Sequence, residues 1–263
     1  MKNKLKALFL SLISIVFWVS AWQICAMLMD RPYFLPSVSD TLSALSRLIT
    51  SPEFYRVALY TVFRVIFGLL IGVFLGVGLA ILSHHVKFVR ILLSPIISVI
   101  KATPVASFIV VFWILLSGDA IAIVVAVLMV MPIIWQNVLD AYSSIDKDTE
   151  EMCRAYEFSR LKKFRLLTLP TLLKFFIPAL ITSVGLAWKS EIAAEIIAYT
   201  KNSIGQYIND AKYNLLTAEV FAWTLVVIIF SIAFERLARL ALAALTKKRR
   251  GYAFYGTDTE KRK

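Results

Sequence analysis

The chain has 263 residues, of which 59% are hydrophobic and only 17% charged, and its mean hydropathy is +0.76. That balance excludes a soluble domain and marks an integral membrane protein. The formal net charge of +12 would point to nucleic acid in a soluble protein. Here the basic residues cluster beside apolar spans, where the positive-inside rule accounts for them, and no nucleic-acid partner is expected.

Residues 5–29 form an apolar run after Lys2 and Lys4. The run is too long for a signal peptide and shows no Ala-x-Ala cleavage site, so it is expected to be an uncleaved first span with its N-terminus in the cytoplasm. Residues 30–56 are more polar. They predict a short amphipathic helix on the outer surface, with Ser39 or Asp40 as N-cap and Leu42, Leu45, Leu48 and Ile49 on one side.

The second span is expected over 57–83, where Gly68, Gly72, Gly76 and Ala80 recur every four residues on one face. Small residues at that interval form a packing surface for another membrane helix. Arg64 lies one turn before this ladder. His84, His85, Lys87 and Arg90 make a basic cytoplasmic turn. The two histidines would point about 100 degrees apart on a helix, and no Cys or carboxylate is near enough in sequence to complete a metal site with them. A third span over 91–117 is interrupted by Pro95, Lys101 and Pro104, and a broken helix is expected. Gly118 and Asp119 turn the chain into a fourth span over 120–141. Trp113 and Trp135 are either interface anchors or core residues.

The stretch 143–170 is the longest hydrophilic segment between spans and carries six Lys or Arg residues. Asp148 followed by Glu151 resembles a capping box, and Met152, Ala155 and Tyr156 recur at helical spacing. A helix is predicted from about Thr149, then a bend near Glu157 and Phe158, then a second short helix, with Pro170 opening the next span. In this loop Glu151, Met152 and Cys153 are followed after three residues by Glu157, and nine residues later by Leu167-Thr168-Leu169-Pro170. That spacing resembles the EAA loop of bacterial ABC importer permeases, in which Glu-Ala-Ala is followed by Gly and an Ile-x-Leu-Pro ending. The resemblance implies that residues 149–160 dock into a cytosolic ATPase. Glu157 replaces the Gly of the motif, where a left-handed turn costs an L-residue about 1–2 kcal/mol.

Other segments widen the resemblance to the nitrate, sulfonate and taurine branch of these permeases. They are Leu35-Pro36-Ser37, Arg64 with its glycine series, and the Ala193-Ala194-Glu195 ending of the fifth span. That span, 171–197, carries Lys189, Glu191 and Glu195, and ionisable groups cost about 2.5–3.5 kcal/mol each at the bilayer centre. At 100 degrees per residue the two glutamates lie about 40 degrees apart and Lys189 points away from both. Either these groups pair structurally with Arg64, Lys101 or a second copy of the chain, or they line the route of a polar solute. Two carboxylates and one lysine do not choose the charge of that solute.

Residues 198–218 form an outer segment, and a last span over 219–245 precedes Lys247-Lys248-Arg249-Arg250 and a polar tail over 251–263. Cys25 lies in an apolar run and Cys153 in the charged loop, which makes no disulfide framework. Lys189-Ser190 lacks the preceding Gly of a phosphate-binding loop, and no HExxH or GxSxG appears. The chain is therefore not expected to be an enzyme or to bind a cofactor or metal, and ATP and Mg would sit on a partner. Eighteen Lys or Arg fall in the regions assigned to the cytoplasm and five outside, which places both termini inside. The expected molecule is an all-α, single-domain, six-span permease of the cytoplasmic membrane, with the methionine-importer-like fold. The resemblance implies a homodimer in lipid, a cytosolic ABC ATPase on the loop and an extracytoplasmic solute-binding protein. A structural or anchoring membrane protein without an ATPase is the alternative.

Overall fold

The computed structural model describes residues 2–116 and 118–254, and among these every regular element is helical. The end of the expected third span, Ser117, and residues 255–263 of the expected tail lie outside the described residues. So do the side chains of the basic residues at 2, 4 and 247–250.

Two helices, α3 (Pro52–His85) and α6 (Asp119–Ser143), form the centre. A Cβ placed on Gly68 would stand 2.7 Å from that of Ala126, one on Gly72 2.8 Å from that of Val130, and one on Gly76 2.7 Å from that of Ile134. The glycine ladder is thus the surface that lets α6 approach, where close packing replaces the hydrophobic drive that lipid removes. Because residue numbers rise together on both helices, α3 and α6 run parallel. The chain between them must therefore cross back over the full depth of the bundle.

It does so as a broken pair, α4 (Lys87–Ala102) and α5 (Val105–Leu115), bent by 105°. At about 1.5 Å per residue these reach about 24 and 16 Å, so neither alone matches a hydrocarbon layer of about 30 Å. The expected interruptions reduce to one. Pro95 lies inside α4 without ending it, whereas the chain turns at Thr103 and Pro104, the caps of the two helices.

After α6 come α7 (Lys147–Ala155), α8 (Arg160–Lys163) and a π-helical turn (Phe164–Thr168) that runs into α9 (Leu169–Ala198). Phe164 and Thr168 share a cavity with His84 and Tyr142, near the ends of α3 and α6, while Glu195 reaches Arg64 near the start of α3. So α9 is antiparallel to both. On the face away from the α7–α8 loop, α10 (Ile204–Tyr213) leads into α11 (Thr217–Phe254), which runs past the expected span limit at 245. Trp188 is fully buried between α9 and α11, its Nε1 donating to the Val227 carbonyl at 3.0 Å and its ring meeting Phe234. Trp135 is likewise a core residue, donating to Ser83 Oγ at 3.1 Å, while Trp113 is exposed.

The amphipathic helix α2 (Val38–Thr50) is capped by Ser37, whose Oγ accepts from the Asp40 amide, and not by Ser39 or Asp40. Its inner side is Thr41, Ala44, Leu45 and Leu48, and Leu42 and Ile49 turn outward. α1 (Lys2–Met29) touches the rest near its C-terminal end, where Trp22 Nε1 donates to the Pro36 carbonyl at 3.1 Å. Among the described residues five helices are long and apolar enough to cross a membrane, or six if the bent pair is one broken span.

Candidate functional site

The charged loop begins two residues earlier than its spacing suggests. Asp146 caps α7, its carboxylate accepting from the Thr149 amide at 3.3 Å and from Thr149 Oγ1 at 3.0 Å. Asp148 instead falls in the first turn, where a negative charge complements the helix dipole. Glu151, Met152, Ala155 and Tyr156 are exposed and Cys153 is buried. α7 therefore turns one edge inward and offers the rest to solvent.

The end of α7 explains the non-glycine residue at the bend. The Phe158 amide donates to the Cys153 carbonyl at 2.9 Å and the Glu157 amide to the Arg154 carbonyl at 3.0 Å, the paired bonds of a Schellman motif. Glu157 occupies the position usually held by Gly, with φ of 50°. The turn is the one a Gly would make, and an L-residue makes it.

Sequence spacing did not reveal the link that holds the loop together. Lys163 Nζ on α8 donates to Glu150 on α7, with Arg154 4.0 Å away, and this contact keeps the Glu150 carboxyl below its ordinary range. Beyond α8, Pro170 stands in the first turn of α9, and the helix runs through it without interruption. Leu167 and Leu169 are partly buried and Pro170 is exposed, all within one helical stretch from Arg160 to Ala198. Pro170 has no N–H to offer the Leu166 carbonyl, and the neighbouring turn widens so that the Leu169 amide bonds to Phe164. The second half of the loop is thus continuous with α9.

The membrane charges divide into two groups. Arg64 is 7% exposed and fully engaged: Nε donates to Asp119 Oδ1 at 3.0 Å, Nη1 to Glu195 Oε1 at 3.2 Å and to the Asn202 carbonyl at 3.3 Å, and Nη2 to the Lys201 carbonyl at 3.1 Å. Glu195, fully buried, also accepts from Thr61 Oγ1 at 2.8 Å and from the Gly205 amide at 3.2 Å. A Cβ on Gly205 would collide with Glu195 itself, so only glycine lets α10 dock there. This clasp joins α3, α6, α9 and α10, and Thr61, Asp119 and Gly205 belong to it although sequence reasoning singled out only Arg64 and Glu195. Glu191, one turn away, is fully buried, and among the described residues neither of its oxygens has a hydrogen-bond partner.

Lys189 is on the other side. It is exposed, on a stripe of α9 with Lys174, Pro178 and Thr182, while its neighbours Trp188, Ser190, Glu191 and Ile192 are buried. Lys174 was missed, though at 100 degrees per residue it lies only about 60 degrees from Lys189. Lys101 is also exposed, in the last turn of α4. The structure thus joins Arg64 with Glu195 and separates both from Lys101 and Lys189. Among the described residues no three or more His, Cys, Asp or Glu side chains are placed to hold a metal ion.

A helical membrane bundle with one ordered, charged loop continuous with a crossing, and polar groups set along that crossing, is the architecture of a transporter subunit. The chain belongs to the family of binding-protein-dependent transport system inner membrane components, matched over residues 68–251. It is similar to the putative aliphatic sulfonates transport permease protein SsuC of Bacillus subtilis (strain 168), at 23% identity over 89% of this chain and 85% of the relative. It is similar also to the taurine transport system permease protein TauC of Escherichia coli (strain K12), at 25% identity over 86% and 83% of the two chains. In fold it matches the crystal structure of an amino acid ABC transporter with histidines, with a TM-score of 0.62 and 15% identity over 78% of this chain and 97% of that one. The protein is therefore a multi-pass inner-membrane permease of the ABC importer class and not an enzyme. Its family implies an ATPase and a solute-binding protein as partners, and no cofactor of its own.

Proposed function

We propose that this chain is the permease of an ATP-driven importer for a small sulfonate or similar oxyanion, working as a homodimer in the lipid bilayer. The observation that carries the solute class is the division of charge on α9: Lys189 and Lys174 are exposed on one stripe, whereas Glu191 and Glu195 are fully buried on another. A lysine well inside a crossing does not face lipid, so the stripe looks toward a second copy or a water-filled path. With its carboxylates turned inward, the surface left to a solute is cationic. The sulfonate and taurine permeases among its relatives support the same class. In this reading Arg64 and Glu195 hold the wall of the path and do not touch the solute, Glu191 stands behind that wall, and Lys101 adds to the positive field.

Glu151, Met152, Cys153, Ala155, Tyr156 and Glu157 form the coupling helix and its stop, and Leu167, Leu169 and Pro170 close the loop onto α9. ATP and Mg bind the cytosolic ATPase, which docks on this loop. The loop face is cytoplasmic, both termini lie on that side, and the binding protein meets the face carrying α2 and α10. Closure of the ATPases pushes α7 and α8, and the unbroken helix from Arg160 to Ala198 carries the movement to Lys189.

The test is uptake of a short alkanesulfonate by the complete transporter in proteoliposomes. Lys189→Ala should raise KM about tenfold or more, in keeping with the loss of a charge-assisted contact, and Lys189→Arg should restore most of it. An unchanged KM for Lys189→Ala, with uptake intact, would remove the solute assignment.

A further inference from the structure

We propose that the corner between α3 and α4 is a binding site for the phosphate-bearing headgroup of an anionic membrane lipid. The site rests on the membrane location of the chain and not on the solute or on transport.

An open cavity of about 770 Å³ lies at this corner, on the same face as the charged loop. Lys87, Arg90 and Ser94 of α4 line it at spacings of three and four residues, which puts them on one side of the helix. His84, at the end of α3, adds a further nitrogen. No carboxylate lines the cavity, and neither Lys87 nor Arg90 takes part in an ion pair among the described residues. Lys163 of the neighbouring loop, by contrast, is held by Glu150. Unpaired cations beside one another repel, and an oxyanion between them relieves that repulsion.

A second observation comes from Ser83, which lines the same cavity and is 2% exposed. Its Oγ accepts from Trp135 Nε1 at 3.1 Å, and its own hydrogen has no acceptor among the described hydrogen bonds. Trp135 thus satisfies the acceptor side of this hydroxyl, and its donor side is left for an oxyanion in the cavity. The apolar surroundings decide between a free anion and a lipid. Ile91 and Pro95 continue the lining, and Phe88, Leu92, Ile96 and Val99 leave most of α4 exposed and apolar beside it. A headgroup held by Lys87 and Arg90 would lay its acyl chains along that surface, whereas inorganic phosphate would leave it uncovered.

The experiment is native mass spectrometry of the full chain, delipidated in mild detergent and then titrated with phosphatidylglycerol, phosphatidylcholine or inorganic phosphate. Phosphatidylglycerol should be retained in preference to phosphatidylcholine. Lys87→Gln and Arg90→Gln should each lower its retention about fivefold, while Lys212→Gln on the opposite face should not. Equal retention of the two lipids, or full retention of phosphatidylglycerol by the Lys87→Gln, Arg90→Gln double variant, would overturn the site. Displacement of phosphatidylglycerol from the wild type by inorganic phosphate would assign the cavity to a free anion and overturn the lipid reading.

Discussion

Arg64 and Glu195 are 131 residues apart in sequence and 3.2 Å apart in the structure, and both are withdrawn from solvent. Taking two charges out of water is costly, and the cost is met here because nearly every polar atom of the pair has a further partner. Removing one member strands the other. Arg64→Ala should therefore destabilise the chain by about 3–5 kcal/mol, and the Arg64→Ala, Glu195→Ala double variant by less than the sum of the singles. Thermal unfolding of the four proteins in one detergent measures this, and strictly additive losses would show that the clasp is not coupled.

The glycine ladder admits a control within the same helix. A side chain on Gly72 meets Val130, whereas a Cβ on Gly78 meets nothing within 4 Å. Gly72→Val should separate α3 from α6 and cost about 1–3 kcal/mol or more, while Gly78→Ala should be tolerated. Equal melting temperatures for the two variants would mean that the helices do not approach as described.

Glu157 holds a left-handed conformation at the end of α7. Glycine would relieve about 1–2 kcal/mol of strain and return about 0.5–1 kcal/mol as unfolded-chain entropy, so Glu157→Gly should stabilise the turn slightly. Slower hydrogen exchange at the Phe158 amide is the expected result. Faster exchange would indicate that the Glu157 side chain contributes more than its backbone costs.

The link between α7 and α8 should fail in acid. The Lys163 hydrogen bond, together with its charge, holds Glu150 below its ordinary value of 4.5. A depressed carboxyl stabilises the folded loop above that value, and the contribution is lost as pH falls through the lower folded value. Exchange of the α7 amides should rise below pH 4.5 in the wild type, measured against Glu150→Gln, in which this step is missing. The same acid response in both proteins would place its origin elsewhere.

Among the described residues Glu151 has no ion-pair partner, whereas Glu150 has two. Glu151→Lys should thus leave the fold and melting temperature unchanged while weakening copurification of the ATPase and uncoupling uptake. Full recovery of the ATPase with the variant would remove Glu151 from the proposed contact.

Apolar length alone determined much of this molecule. The apolar runs at 5–29, 57–83, 120–141, 171–197 and 219–245 are long enough that a bilayer admits little but a helix, since every backbone group must be satisfied internally. The glycine ladder was legible for a related reason, because small residues every four positions have one evident use between membrane helices. Loop spacing and composition were enough for the family resemblance, which the family match then established. Tertiary structure decided what periodicity does not encode, namely which polar group meets which. At helical spacing Glu191, Glu195 and Lys189 are simply charges in a span. Only the packing of α3, α6 and α10 around α9 buries the carboxylates and leaves the lysine exposed. The same holds for Pro95 and Pro104. Each removes one backbone donor, but whether a helix continues past a proline depends on what its neighbours demand. Here parallel α3 and α6 require a crossing between them, and the chain bends at Pro104 to make it.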